Sequence, residues 1–488
     1  MQTLHTLISS RWRNIALLLA MALMLVAHRS SAATPQPPPA ASTADSYSYL
    51  PFITSSQIPV PTVNVPYFAG DIAFSQTAIF WFGRVNRTEN YVDVRVGYNN
   101  QELYVYTVAF DRRLWFDTTP SASDLTSWDS VTLYLDRAGS GGRAPGPESY
   151  RFDAELSGQA DDSRYERSAR GDGTGWVVQS VPYYTLPGWR GTSMNNNVGD
   201  DLGWGMLYRI SFSSLGLAGP PPQGSQWRLA LALHDRDDAG GTLIADQIWP
   251  ASMSGDSPGT WGRLSFGLPT YSPPLVAPTG TATIRNHLNG AVVEDAAVGG
   301  HTLCGDSLNI WTQWGDATES VLNPLHTQVN VMNQGDVADW PCFSKYYLTF
   351  PLNAIPEGKV ILSASLILSQ FGNAGAPGEA ERSLIQVLTV NQDWNEATLT
   401  WNNAPLAWEN VSQAWVDPLL SYPGDLGIPR TWDLSYAVAQ TYSRGGALRL
   451  ALYSADYAQH SGKYFLSSEI DDWLAVARPT LEVTWGNP

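Results

Sequence analysis

Beyond residue 34, no stretch of this chain runs 20 residues without a Gly, Pro or Asn. That feature constrains the fold more than any other. Gly and Pro both weaken a helix interior, and an isolated helix shorter than about 12 residues is marginal. Long amphipathic helices and heptad repeats are therefore excluded. Between the breaks, apolar and polar residues alternate at period two, the pattern of strands. Tyr91-Val-Asp-Val-Arg-Val96, a polar Asn99-Asn100 and Leu103-Tyr-Val-Tyr-Thr-Val108 read as a hairpin. Ser130–Leu135, Tyr150–Leu156, Met206–Phe212 and Trp227–Leu233 continue the pattern, as do Tyr346–Phe350, Ala364–Leu368, Leu384–Val390 and Leu448–Leu452. Leu434 to Tyr442 is the best helix candidate. Many short strands with turns between them imply an all-β chain of β-sandwich or jelly-roll domains.

Proline-rich breaks set the boundaries. Residues 1–32 read as a secretory signal: Arg11 and Arg13 precede a 13-residue apolar run, Ile15 to Ala27, and Ser30-Ser31-Ala32 offers small residues for cleavage. The alternative is a membrane anchor, but a bilayer span takes about 20 residues. No stable membrane insertion is expected after cleavage, and the mature chain is expected to be secreted, extracellular or on the cell surface. Residues 33–62 form a Pro/Ala/Ser-rich linker. Within it, Tyr49-Leu-Pro-Phe-Ile53 resembles the tyrosine-leucine-proline segment behind the signal of many secreted bacterial proteins. A second break at 269–279 separates a domain at 63–268 from one at 280–488. The only cysteines, Cys304 and Cys342, both fall in the exported part. A disulfide is the expectation, with two buried thiols as the alternative.

Charge then excludes one class of partner. The net charge is −17, and Lys occurs only at 345, 359 and 463. An acidic surface repels phosphate backbones, so nucleic acid is not an expected partner. The enzyme-like motifs fail on their chemistry. Gly255-Asp-Ser257-Pro-Gly259 matches G-x-S-x-G, but Pro258 has no N–H to offer an oxyanion. Gly305-Asp-Ser-Leu308 spells an esterase motif, yet no Asp stands three residues before any His. Gly171-Asp-Gly-Thr-Gly175 opens onto Trp176 and reads as a turn. Glu148, Glu155 and Glu166 could supply a glycosidase pair, but only if two face each other across about 5–9 Å. The expectation is a non-catalytic protein. Asp235, Asp237 and Asp238 in a Gly turn are candidate ligands for a structural calcium, because that ion takes six to eight oxygens. An uncomplicated polar turn is the alternative.

Two family resemblances add to this. Tyr91 to Asp136 resembles carbohydrate-binding module family 9. Val92-Asp-Val-Arg-Val-Gly-Tyr-Asn-Asn, Gln101-Glu-Leu-Tyr-Val-Tyr-Thr-Val with Asp111, and Trp128-Asp-Ser-Val-Thr-Leu-Tyr-Leu-Asp136 follow the family's order. The resemblance implies a sugar-binding β-sandwich, often with calcium, in some members holding a sugar between two tryptophans. Trp115 and Trp249 are the candidates. The second half resembles the DNRLRE domain, carbohydrate-binding module family 96. Val360–Leu368, Trp394-Asn-Glu-Ala-Thr-Leu-Thr-Trp-Asn-Asn-Ala-Pro405, Phe465-Leu-Ser-Ser-Glu469 and Arg478-Pro-Thr-Leu481 carry it. It implies a jelly roll, with some members binding acidic polysaccharide such as alginate. Here the chain departs from that expectation. Residues 271–488 hold 21 acids and 9 bases, a net of −12, whereas acidic sugars need Arg or Lys.

Sugars lay their C–H faces on aromatic rings, and the chain carries 20 Trp and 22 Tyr. Trp394 and Trp401, inside a strand signature, read as core. Trp311, Trp314 and Trp408, flanked by Gly, Asp, Pro or Asn, join Trp115 and Trp249 as candidate sugar platforms. Trp204, Trp340 and Trp415 share that setting. The expected partner is extracellular or cell-wall polysaccharide. A structural surface or matrix protein and, further off, a polysaccharide lyase or hydrolase stand as alternatives.

Overall fold

The computed structural model describes residues 59–121, 125–240, 242–300, 308–322, 326–334 and 343–488. The signal segment, nearly all of the first linker, Cys304, Cys342 and Trp340 lie outside the described residues. The fold is all-β. The Asn99-Asn100 turn closes the expected hairpin: strands Tyr91–Tyr98 and Glu102–Phe110 pair antiparallel, with Tyr98 opposite Leu103. The Asn99 side chain accepts from the backbone N–H groups of Gln101 (2.8 Å) and Glu102 (3.0 Å), which fixes the turn.

Four antiparallel layers follow from these strands. In the first sheet the spatial order is Ala78–Gly83, Tyr91–Tyr98, Glu102–Phe110, Gly203–Ser211, Tyr184–Arg190. The second runs Trp176–Val178, Glu166–Gly171, Ser149–Glu155, Ser130–Asp136, Gln226–His234, Gly262–Phe266. Val94, Val96 and Met206 from the first and Leu133, Phe152 and Leu231 from the second fill one core. In the second half a sheet runs Glu409–Val416, Ser383–Thr389, Leu448–Ser454, Phe343–Phe350, Glu294–Gly299. Its partner runs Ile428–Asp433, Val360–Asn373, Thr480–Gly486, Pro278–Arg285. Strand Gln328–Asn333 passes between these two, pairing with Lys463–Leu466 and then Phe343–Phe350. The helix spans Ser435–Arg444, packs on Val360–Asn373 and stops at Gly445, whose φ of 75° continues no helix. Among the described residues no helix is long and apolar enough to cross a membrane.

The two sandwiches are not beads on a string. Strand Thr62–Val65 pairs in parallel with Gly262–Phe266, and at Thr62 it also meets Glu409 of the second half. The alternation in Tyr91–Tyr98 predicts one solvated face, yet all eight residues are buried. The reason is that the second half covers that face. Trp81 and Tyr91 of the first sheet pack on Tyr453 and Trp401, with ring centres 5.6 and 4.9 Å apart. A single buried cluster therefore includes residues from both halves, and Gln57–Pro488 forms one compact unit.

Three side-chain amides of the second half complete this join. Gln386 accepts from the Ile79 N–H (3.2 Å) and donates to the Thr77 carbonyl (2.7 Å). Asn402 accepts from the Val85 N–H (2.8 Å) and donates to its carbonyl (3.0 Å). Asn410 does the same to Asn64, at 2.7 and 2.8 Å. An amide side chain presents one donor and one acceptor side by side, so it can imitate a neighbouring strand where none runs. Each clamp satisfies backbone groups that would otherwise be buried without partners.

Candidate functional site

Three aspartates converge where strands end. Asp111 follows Glu102–Phe110, Asp129 precedes Ser130–Asp136, and Asp235 follows Gln226–His234. They are 1%, 0% and 5% exposed, and a carboxylate oxygen of each lies within 4.8 Å of the others. Asp129 accepts from the N–H groups of Arg236 (2.9 Å) and Trp115 (2.6 Å). Asp111 accepts from the Arg113 N–H (2.9 Å) and the Trp204 indole (3.1 Å). Asp235 Oδ1 is buried with no hydrogen-bond partner. The nearby Arg112 and Arg113 direct their guanidinium groups to Asp200, at 3.5 and 3.0 Å.

Burial, and after it the neighbouring carboxylates, holds Asp111 and Asp129 well above the usual aspartate range. Burial and then Asp237 push Asp235 up to about 7. Three like charges cannot share a dry site unless protons or a cation compensate them. A hard divalent ion does this well. Calcium binds oxygens at about 2.3–2.6 Å, so ligand atoms around one ion lie within about 5 Å of each other. The observed spacing and the orphaned Asp235 oxygen fit that requirement.

Of the aspartates expected to coordinate together, only Asp235 belongs to this group. Asp237 and Asp238 lie in the turn beyond it, half-buried. Its companions come from strand ends about 106–124 residues away in sequence, a separation that local spacing does not reveal. The signal that was present is that Asp111 and Asp129 each border an alternating strand.

A second feature opens on the outward face of the first sheet, where the second half leaves it uncovered. A cleft of about 220 Å³ is lined by Tyr106, Val108, Phe110, Gly188, Arg190, Gly203 and Gly205, with Trp189 and Tyr457 at its margin. Gly188 and Gly205 face each other across two strands. A Cβ on Gly205 would lie 2.7 Å from the Tyr106 hydroxyl, so the glycine keeps the floor low. Trp189 is 39% exposed at the sheet edge. Tyr457 comes from the second half, so both halves build the cleft.

The tryptophans chosen as platforms sit elsewhere. Trp249, Trp311 and Trp314 are buried, and offer no ring to solvent. Trp249 lies on Phe80, ring centres 4.2 Å apart, and Trp314 lies 4.7 Å from Trp401. Flanking Gly and Asp mark turns at Trp311 and Trp314, but these turns fold inward, while Trp249 ends a strand inside the first half. Trp115 is half-buried, with its indole on Asn197 (3.0 Å). Trp408 is half-buried and bonds through its backbone to Thr62 and Thr389. Trp204 is buried and Trp415 lies under Arg382, 3.6 Å from its ring centre. Among the described residues the exposed tryptophans are Trp189 and Trp473, which neighbouring residues do not single out.

The carboxylates weighed for catalysis do not assemble either. Glu155 is buried and pushed up to about 8 by that burial, Glu148 is ion-paired with Arg137, and Glu166 accepts from Thr185 (2.5 Å). Ser257 closes a tight turn onto Ser254. Thr132, His234 and Asp246 line up at 2.9 Å each, in the order of a nucleophile, base and acid. Thr132 is fully buried, however, and its hydroxyl also contacts Asp153 (2.7 Å), so it faces no substrate.

No protein-family model matches the chain, and no curated protein matches it. Several solved structures resemble part of it. A carbohydrate binding module family 9 from Caldicellulosiruptor kristjanssonii in complex with cellotriose is 13% identical, with 45% of this chain and 99% of that chain covered and a TM-score of 0.30. The same organism's family 9 module in complex with glucose is 13% identical, with 44% and 100% covered and a TM-score of 0.29. A putative carbohydrate-binding protein from Bacteroides uniformis is 11% identical, with 43% and 100% covered and a TM-score of 0.29. Likeness at this level leaves what the chain binds to be argued from its own residues.

Proposed function

We propose that this chain is a secreted, non-catalytic glycan-binding protein, with the cleft at Tyr106, Gly188 and Trp189 as its sugar site. The observation that carries the reading is an open, aromatic-walled cleft whose glycine floor lets a flat ring approach the sheet. Sugar C–H faces pack on tyrosine and tryptophan rings, while Arg190 at the rim suits hydroxyl groups. The net charge favours a neutral polysaccharide. We assign Asp111, Asp129 and Asp235 to a structural calcium ion, which would tie three strand ends together and so hold the sandwich that carries the cleft.

Affinity electrophoresis of the whole chain in neutral and acidic polysaccharide gels tests the sugar reading. Retardation in at least one neutral glycan, lost in Trp189→Ala and Tyr106→Ala, is expected. Unretarded migration in every gel would overturn it. A structural matrix protein is the second reading. The exposed apolar residues Leu420, Tyr422 and Leu426 on one loop favour it. It predicts self-association by light scattering without any sugar.

A further inference from the structure

We propose that Lys345 and Asn333 are the two ends of an intramolecular amide cross-link, formed with loss of ammonia and with Asp93 as the proton-transfer group. This modification site is independent of sugar binding and of the calcium centre.

Lys345 projects from Phe343–Phe350 into the join between the halves and is fully buried. Its Nζ lies 3.4 Å from the ring centre of Trp401, 4.4 Å from those of Trp81 and Tyr91, and 5.1 Å from that of Tyr453. Lysine is almost never fully buried as a bystander. Burial holds this amine well below the usual lysine range, with the Asp93 charge acting against it. A neutral amine is the nucleophilic form.

Asn333 stands on the adjacent strand, opposite Phe343. Phe343 and Lys345 share a face, so Asn333 and Lys345 are diagonal neighbours on it. Asn333 is fully buried, and its Oδ1 has no partner. Its Nδ2 donates to Asp93 Oδ2 (3.1 Å) and to the Ser454 carbonyl (3.0 Å). Asp93 also accepts from Tyr453 (3.1 Å) and Tyr91 (2.6 Å). Two of the rings that enclose the amine thus also hold the carboxylate that touches the amide nitrogen. All three side chains are buried in a site closed to water, where hydrolysis cannot compete.

The step balances without a co-reactant. The neutral Lys345 Nζ attacks Asn333 Cγ, and the Nζ–Cγ bond forms. The Cγ–Nδ2 bond breaks. One Nζ proton passes through the Asp93 carboxylate to Nδ2, which leaves as ammonia. The product is a neutral secondary amide joining two strands, and it removes both a buried amine and an orphaned carbonyl amide.

Mass spectrometry of the full reduced and denatured chain tests this. The expected mass is that of the mature sequence, with its N-terminus read from its own terminal peptide, less one ammonia. Trypsin is expected not to cut after Lys345, and a branched peptide joining Lys345 to Asn333 is expected. Asp93→Asn and Lys345→Met should each restore the full calculated mass. Cleavage after Lys345 in the unaltered chain with no ammonia deficit overturns the proposal. So does an ammonia deficit without the branched peptide, since a cyclised asparagine would lose the same mass. The unaltered chain decides these outcomes even if a variant fails to fold.

Discussion

Asn64 and Asn410, 346 residues apart, read each other's backbone: the Asn64 N–H meets Asn410 Oδ1 at 2.7 Å, and the Asn410 amide meets the Asn64 carbonyl at 2.8 Å. The Asn64 side chain returns the contact to the Asn410 carbonyl, also at 2.8 Å. Both residues are buried. This reciprocal pair, with the Gln386 and Asn402 clamps, makes the two sandwiches one cooperative body. Calorimetry should therefore show one unfolding transition. Asn410→Ala leaves buried backbone groups of Asn64 unpaired, at about 1–3 kcal/mol each. Its expected effect is a loss of about 2–6 kcal/mol and a lowered but still single transition. Two transitions, only one of them shifted, would show that the halves unfold separately.

Calcium should stabilise the chain, and a chelator should reverse the effect. An ion that binds only the folded state adds about 2.7 kcal/mol at a hundredfold excess over its dissociation constant. The rise in Tm with calcium should disappear in Asp129→Asn, whose neighbours Asp111 and Asp235 cannot hold a hard cation alone. An equal rise in that variant would place the ion elsewhere.

The same carboxylates set a pH dependence in the metal-free chain. Asp111, Asp129 and Asp235 have folded pKa values raised above their unfolded ones by burial and mutual repulsion. The folded state then holds more protons than the unfolded state, so stability falls as pH rises. The fall should begin near the unfolded aspartate value of 3.8 and, for Asp235, be complete just above pH 7. Saturating calcium should flatten it by replacing the protons. Melting curves from pH 4 to 8 with chelator and with calcium check this; a metal-free Tm that rises across that range would be inconsistent with it.

Strand alternation made the sheets legible, because period two survives in sequence whatever lies outside the sheet. It could not show what covers the second face. In Tyr91–Tyr98 the valines point into the first core as the pattern requires, while Asp93 and Arg95, the polar members of the alternation, are 1% and 0% exposed under the second half. The tryptophans misled for the same reason. A turn residue says where the chain bends, not whether the bend folds inward, so Trp311 and Trp314 near Gly and Asp are core. Asp111, Asp129 and Asp235 were visible one by one as strand-end acids. Their meeting depends on three strands ending at one rim, which is tertiary information. Asn402, within Trp401-Asn-Asn-Ala-Pro405, clamps Val85 of the other half, a role no local spacing reveals.

The cleft can be closed without disturbing the sheet, which separates binding from folding. A Cβ on Gly188 would meet nothing within 4 Å, whereas one on Gly205 would press on Tyr106. Gly188 has no left-handed backbone to lose. A branched side chain there should be neutral or slightly stabilising, because glycine weakens a strand interior by roughly 0.5–1 kcal/mol. Gly188→Leu should therefore keep Tm within a few degrees. The leucine would fill the floor beside Tyr106, and glycan retention should fall at least tenfold, about 1.4 kcal/mol. Affinity electrophoresis and a melting curve on the same preparation make the comparison. Full retention in a folded Gly188→Leu chain would move the sugar site away from this cleft, to the exposed Trp473 as the next candidate.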